Sequence, residues 1–143
     1  MTTFEYMKRS VDMERAALMQ LHEIMDETAF VKAIELLKAS TLTVTSACGS
    51  SGFSAKKFAH SLCCVECPAK FVSPAEAVHG GMGALKKGNL LVLVSKGGKS
   101  EELIPLAEIA KAKEAHVLTV TANPASPLAQ MSDVVLLLPD VPE

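Results

Sequence analysis

The chain has no tryptophan, one tyrosine and five phenylalanines, and its 14 basic residues are slightly outnumbered by 16 acidic ones, for a formal charge of -2. A nucleic acid would meet neither a basic field nor a set of rings on which to stack its bases, so no nucleic-acid partner is expected. No apolar run approaches the ~20 residues of a membrane-spanning helix. The N-terminal stretch, carrying Glu5, Lys8, Arg9, Asp12 and Glu14, lacks the apolar segment of a signal peptide. The expectation is a cytoplasmic protein with no membrane partner. Linkers and low-complexity segments are also missing, and 143 residues with 49% hydrophobic and 21% charged character suffice for one domain with its own core, spanning 1–143.

Cysteine is scarce. Cys48, Cys63, Cys64 and Cys67 are expected to be reduced thiols in a cytoplasmic setting. The last three form CCxxC, and Cys64 and Cys67 have the spacing of a metal or redox pair. A zinc site takes four ligands and no second pair is present, so no metal is expected, and small buried thiols at a helix end explain the pattern better. A redox role would need accessible thiols of low pKa.

Residues 1–40 read as helical. Phe4, Met7, Val11, Leu18, Leu21 and Met25 recur at steps of three and four, with Glu14 at the one skipped place, and a second piece is marked by Phe30, Ala33, Ile34 and Leu37. The apolar stripe must be covered, either by the domain's own sheet or in a subunit interface.

From residue 41 to 143 strands and helices alternate. Short strands are expected at Leu42–Thr45, Lys70–Val72, Leu90–Val94, His116–Thr121 and Val134–Leu138. Helices are expected at Ser51 to about Cys64, with Phe53 and Phe58 available for packing, from Ser73-Pro74, from Ser100 to about Ala115, and from Ser126-Pro127. LLVLV and VVLLL carry no polar alternation, so both faces of these strands are covered, as in a parallel sheet flanked by helices. The fold class is therefore α/β, a three-layer αβα sandwich.

Ligands of such folds bind beyond the carboxyl ends of the strands, where the strand order switches. Two loops there have matching chemistry. Gly49-Ser50-Ser51-Gly52 follows the first strand and precedes a helix, so unpaired N–H groups and the positive end of the helix dipole face outward. Ser95-Lys96-Gly97-Gly98-Lys99-Ser100 follows the third strand and offers glycines, two hydroxyls and Ser100 as the N-cap of the next helix. Together they could grip one phosphate from both sides. Neither loop is a GxxxxGKS/T phosphate loop or a GxGxxG fingerprint, which points away from nucleotides, and no cofactor is expected.

CGSSG, FVSPAEAVHGGMGAL and SKGGKSEEL, following strands one, two and three, together resemble the SIS (sugar isomerase) domain, and PAEAVHGGMG resembles its arabinose 5-phosphate isomerase branch. The resemblance runs from about Thr43 to the C-terminus. It implies a flavodoxin-like five-stranded parallel sheet, a phosphosugar ligand and a homodimer or homotetramer. Matched to the family pattern, Ser51, Ser95 and Ser100 take the places of phosphate-holding hydroxyls, and Gly49, Ser50, Gly52, Gly97 and Gly98 complete the two loops. His79 matches a histidine of the sugar site, Glu102 an active-site acid, and Glu143 a second acid beyond strand five. Three positions depart from the pattern: Ser50 stands where the family has lysine, Gly97 where it has serine, and Gly81 where it has aspartate. Lys96 or Lys99 is then the candidate for the missing positive charge. The family continues past the position of Glu143 into a C-terminal helix and a further histidine. Either the core is C-terminally truncated or its catalytic set is incomplete by design.

The resemblance implies a phosphosugar aldose-ketose isomerase working through an enediol, with Glu102, His79 and Glu143 as acid/base groups. The alternative is a non-catalytic phosphosugar-binding regulatory module. Glu76 is expected to serve its helix dipole and Glu101 to be solvated.

Overall fold

The computed structural model describes residues 1–141. Helix α1 (Thr3–Ile24) begins with a capping box, in which Thr2 Oγ1 accepts from Glu5 N and Glu5 Oε2 accepts from Thr2 N. Asp26 caps the next helix, α2 (Glu27–Ala39), by accepting from Thr28 N at 3.0 Å. The two expected helical pieces are thus separated by Met25 and Asp26.

Five strands follow: β1 (Thr43–Ala47), β2 (Ala69–Phe71), β3 (Leu90–Val94), β4 (His116–Thr121) and β5 (Val134–Leu137). They form one sheet in the order β2-β1-β3-β4-β5, and every neighbouring pair is parallel. This is the flavodoxin-like order, with the switch point between β1 and β3. Helices cover both faces. On one, Val44, Leu91, Leu93 and Val117 pack against α4 (Pro74–Val78), α5 (Ile104–Ala112) and α6 (Pro127–Met131). On the other, Leu90, Val92, Leu118 and Val134 pack on Ala33 of α2, while α3 (Gly49–Cys64) buries Ala55, Ala59 and Leu62. Leu90, Leu91 and Leu93 of β3 are all fully buried, at about 1.5–3 kcal/mol of transfer free energy each. That is why this strand carries no polar alternation.

Several expectations need correcting. No residue of α1 is buried, and Phe4, Met7, Val11 and Leu18 are 61–67% exposed, so the stripe does not lie on the domain's own sheet. The two sheet faces are already taken by the other five helices. The half-buried Ala17 and Leu21 lie near Leu138, Pro139 and Val141. Helix α3 starts at Gly49 rather than Ser51, because Cys48 is its extended N-cap and Gly52 N already donates to Cys48 O. Helix α5 starts at Ile104 rather than Ser100. Pro105 has no N–H to donate to Glu101, so residues 101–103 form a separate turn in which Leu103 N donates to Ser100 O. The N-cap of α5 is Leu103, without a side-chain cap. Cys63 and Cys64 are exposed because they fall outside the Ala55–Ala59–Leu62 side of α3, and Cys67, beyond the end of that helix, is half-buried. Phe53, at 74% exposure, shares that outward side, under the Lys56 ammonium.

Other local readings stand. Ser73 caps α4 from the N-cap position, with Pro74 in its first turn and Glu76 Oε2 accepting from Ser73 Oγ at 3.0 Å. Ser126 and Pro127 open α6 in the same way. Glycines 80, 81 and 83 end α4 and open a 3-10 turn at Gly81–Ala84.

Candidate functional site

Parallel register brings the two glycine-serine segments together. Ala47, the last residue of β1, pairs with Val94, the last of β3, so Cys48 and Ser95 leave the sheet side by side at its carboxyl edge. Beyond Cys48, Gly49 takes a left-handed φ of +54° and the chain turns directly into α3. Gly49, Ser50, Ser51 and Gly52 are its first turn, so the N–H groups of residues 49–51 precede the first helical hydrogen bond. A Cβ on Gly52 would lie 3.3 Å from Ala47 O, and that close approach seats the helix end on the strand end.

The segment after β3 is more tightly built. Ser95 is buried, its Oγ lies 2.9 Å from Ser100 Oγ, and it accepts from Gly98 N at 3.1 Å. Gly98 has φ +65°, and a Cβ there would fall on Ser126 Oγ and Cβ and 3.0 Å from Thr121 Oγ1. Gly98 O in turn accepts from Leu128 N. The loop is thereby pinned to the start of α6, with Ser95 and Ser100 converging. At Gly97 a Cβ would meet nothing within 4 Å, so the missing serine hydroxyl is not excluded by space. Gly81 is different, since a Cβ there would stand 2.7 Å from Val72 Cγ1 and 2.8 Å from Glu76 O. The backbone as placed has no room for an aspartate.

The acid/base candidates are distributed unevenly. Glu102 is exposed in the turn before α5, near enough to Cys48 for its charge to act on the thiol. Burial and the Glu102 charge push the Cys48 thiol above its ordinary value. His79 is the C-cap of α4 and exposed, and among the described residues no hydrogen bond or ion pair joins its ring to Glu102 or to the loop serines. Glu143 lies outside the described residues. Ser51 is half-buried at an apolar depression of about 440 Å³ between α2 and α3, which Ser54, Phe58, Val94 and Leu138 also line. It therefore sits on the α2 side of its helix and makes no described contact with Ser95 or Ser100. No group of three or more potential metal-ligating side chains occurs among the described residues. No described helix is long and apolar enough to cross a membrane.

Both replacement lysines line one cleft of about 520 Å³ on the β4 side of the loop, with Gly97, Ala122, Asn123 and Asp140. Lys96 Nζ donates to Val141 O at 2.6 Å, tying the cleft to the chain after β5. Asn123 and Asp140 were not singled out by motif reasoning. The turn signal Asn123-Pro124, at the end of β4, was the clue that could have pointed to the first of them.

A model of the SIS domain matches residues 35–143. Over 128 residues the chain is 36% identical to a Pseudomonas aeruginosa protein named arabinose 5-phosphate isomerase KdsD, covering 89% of this chain and 39% of that protein. The chain thus spans well under half the length of this curated relative. Among solved structures, a Listeria monocytogenes protein provisionally assigned as a sugar-phosphate isomerase superposes with a TM-score of 0.92 at 35% identity, covering 100% of this chain and 76% of that one. A Bacteroides fragilis protein, provisionally assigned as a phosphosugar isomerase involved in capsule formation, superposes with a TM-score of 0.84 at 33% identity, covering 95% and 73%.

Proposed function

The chain belongs to the SIS domain family, and on that premise we propose that it binds a phosphosugar at the β1–β3 switch point and interconverts its aldose and ketose forms. The observation that carries the reading is the Ser95–Ser100 pair, 2.9 Å apart on a loop locked by Gly98, beside the open first turn of α3. Hydroxyls and backbone N–H groups converging at a helix N-terminus suit a phosphate dianion. The names of the relatives supply the sugar class, arabinose 5-phosphate being the first substrate to try.

In that reading the phosphate rests on Ser95, Ser100 and the N–H groups of the two glycine-serine segments, with Lys99 adding charge from the adjoining cleft. Glu102 takes the proton from C2 of the aldose as the C1 oxygen gains one, giving the enediol. Return of the proton to C1, with loss of the O2 proton, gives the ketose. His79 and Glu143 are the candidates to move the hydroxyl proton. A second reading, binding without turnover, is favoured by Ser50, which leaves the first turn of α3 without the family's lysine.

A panel of pentose and hexose phosphates, scored together for thermal shift and ketose formation, tests both. A shift with ketose formation is expected. A shift without turnover would leave only the binding module, and no shift with any compound would defeat the phosphosugar reading itself.

A further inference from the structure

The CCxxC motif at the end of α3 takes no part in the phosphosugar reading, and its thiols differ in what they meet. Cys63 and Cys64 are exposed, Cys67 is half-buried past the helix end, and Cys48 lies half-buried against the core at the other end of α3. Cys63 Sγ donates to Ala69 O of β2 at 3.3 Å. A carbonyl accepts that hydrogen bond but leaves the proton on sulfur. Cys64 meets His60 instead, one turn back on the same helix, with Sγ and Nε2 3.6 Å apart. An imidazole nitrogen can take the proton, and the thiolate it leaves is the nucleophilic form of cysteine. We propose that Cys64, with His60 as its base, is a thiol-modification site that takes up a low-molecular-weight disulfide of the glutathione type.

His60 Nε2 accepts the Sγ proton as the Cys64 thiolate attacks one sulfur of the disulfide. The new S–S bond joins Cys64 to that sulfur, the old one breaks, and the second sulfur leaves with the electron pair and takes a proton from the imidazolium. Cys64 is thereby oxidised to a mixed disulfide and the leaving half is reduced to a thiol. The surroundings admit such a reagent. His60 and Cys64 are both exposed, on the side of α3 away from the buried Ala55, Ala59 and Leu62. Of the two exposed thiols among the described residues, Cys64 has an imidazole within hydrogen-bond reach and Cys63 has a carbonyl. The pair also stands apart from the candidate phosphate grip, since Cys64 lies about 22 Å along the helix axis from Gly49. The proposal therefore holds or fails independently of the phosphosugar reading.

Incubation of the reduced full chain with glutathione disulfide, quenched over a time course and read by intact-protein and tandem peptide mass spectrometry, tests it. The first adduct should form on Cys64, several-fold faster than on Cys63. Cys64→Ser should abolish this fast uptake, and Cys63→Ser should leave it unchanged. His60→Gln should slow the adduct at Cys64 several-fold without altering the rate at Cys63. Slow labelling of the half-buried Cys48 in every variant serves as the internal check that the fold is retained. Equal rates at Cys63 and Cys64 in the unaltered chain would overturn the proposal, as would an undiminished rate at Cys64 in His60→Gln. Loss of rate at both thiols in His60→Gln would also overturn it, since a base acts on its own partner alone.

Discussion

Replacing Gly98 by alanine should be the most damaging single-methyl change in the candidate site. The residue has φ +65°, which costs an ordinary L-residue on the order of 1–2 kcal/mol. Its new methyl would fall on the side chain of Ser126, which is 1% exposed and caps α6 by accepting from Ala129 N. Thr121 Oγ1 closes the other side at 3.0 Å. Ser126 cannot move without giving up its cap, and relief of such overpacking costs about 1–3 kcal/mol. The total is about 3 kcal/mol, which in a chain of this size lowers Tm by roughly 10 °C. Urea and thermal unfolding of Gly98→Ala against wild type measure it. Gly97→Ala, with nothing within 4 Å of its Cβ, is the matched control and should change stability by less than about 0.5 kcal/mol. Adding Ser126→Gly to Gly98→Ala removes the steric part and should return about half of the loss, leaving the backbone part. Equal stability of Gly98→Ala and wild type would refute the argument that this glycine locks the loop.

Further outcomes follow from the same geometry. Ser95→Ala deletes the acceptor of Gly98 N and the partner of Ser100 Oγ in a buried place, and should cost about 1–3 kcal/mol in urea unfolding as well as weakening phosphosugar binding. Gly97→Ser should fold normally and, by restoring a hydroxyl to the loop, tighten phosphosugar binding in calorimetry; a folding defect would contradict the open space around that position. Lys113→Met removes the ammonium that donates to both Met82 O and Leu85 O, and should lower stability by about 1–2 kcal/mol by loosening the 3-10 turn. The thiol of Cys48 has its folded value raised above 9.0, so its stabilising contribution is complete below pH 9 and fades as pH rises through the folded value. Thermal unfolding between pH 8 and 11 should accordingly fall more steeply in wild type than in Cys48→Ala.

The parallel sheet was legible because burial on both faces leaves a mark that local sequence can carry. LLVLV matches β3 residue for residue, and His116 to Thr121 matches β4. The pairs Ser73-Pro74 and Ser126-Pro127 located two helix starts because an N-cap hydroxyl and an N-terminal proline act within one turn. The same local logic failed at Ser100, since the deciding residue was Pro105, five positions later, whose missing N–H postpones the helix. It failed for α1 for another reason. A stripe records that an apolar face exists, and the surface that meets it is set by the other elements, here leaving Phe4, Met7 and Val11 in the open. Of the site, the serines and glycines of the β3 segment were legible from composition and family pattern, and the structure joins Ser95 to Ser100. What could not be read was any pairing across the sheet edge, such as Lys96 with Val141 O, because register and topology create it.

The central claim is a phosphate grip built from the segment after β3 and the first turn of α3. Titration of arabinose 5-phosphate into isotope-labelled protein, followed by backbone amide NMR, tests it most directly. The account predicts saturable shifts centred on residues 97–100 and 49–52, larger than those from unphosphorylated arabinose. Shifts absent from both segments, or equal for the two sugars, would contradict it.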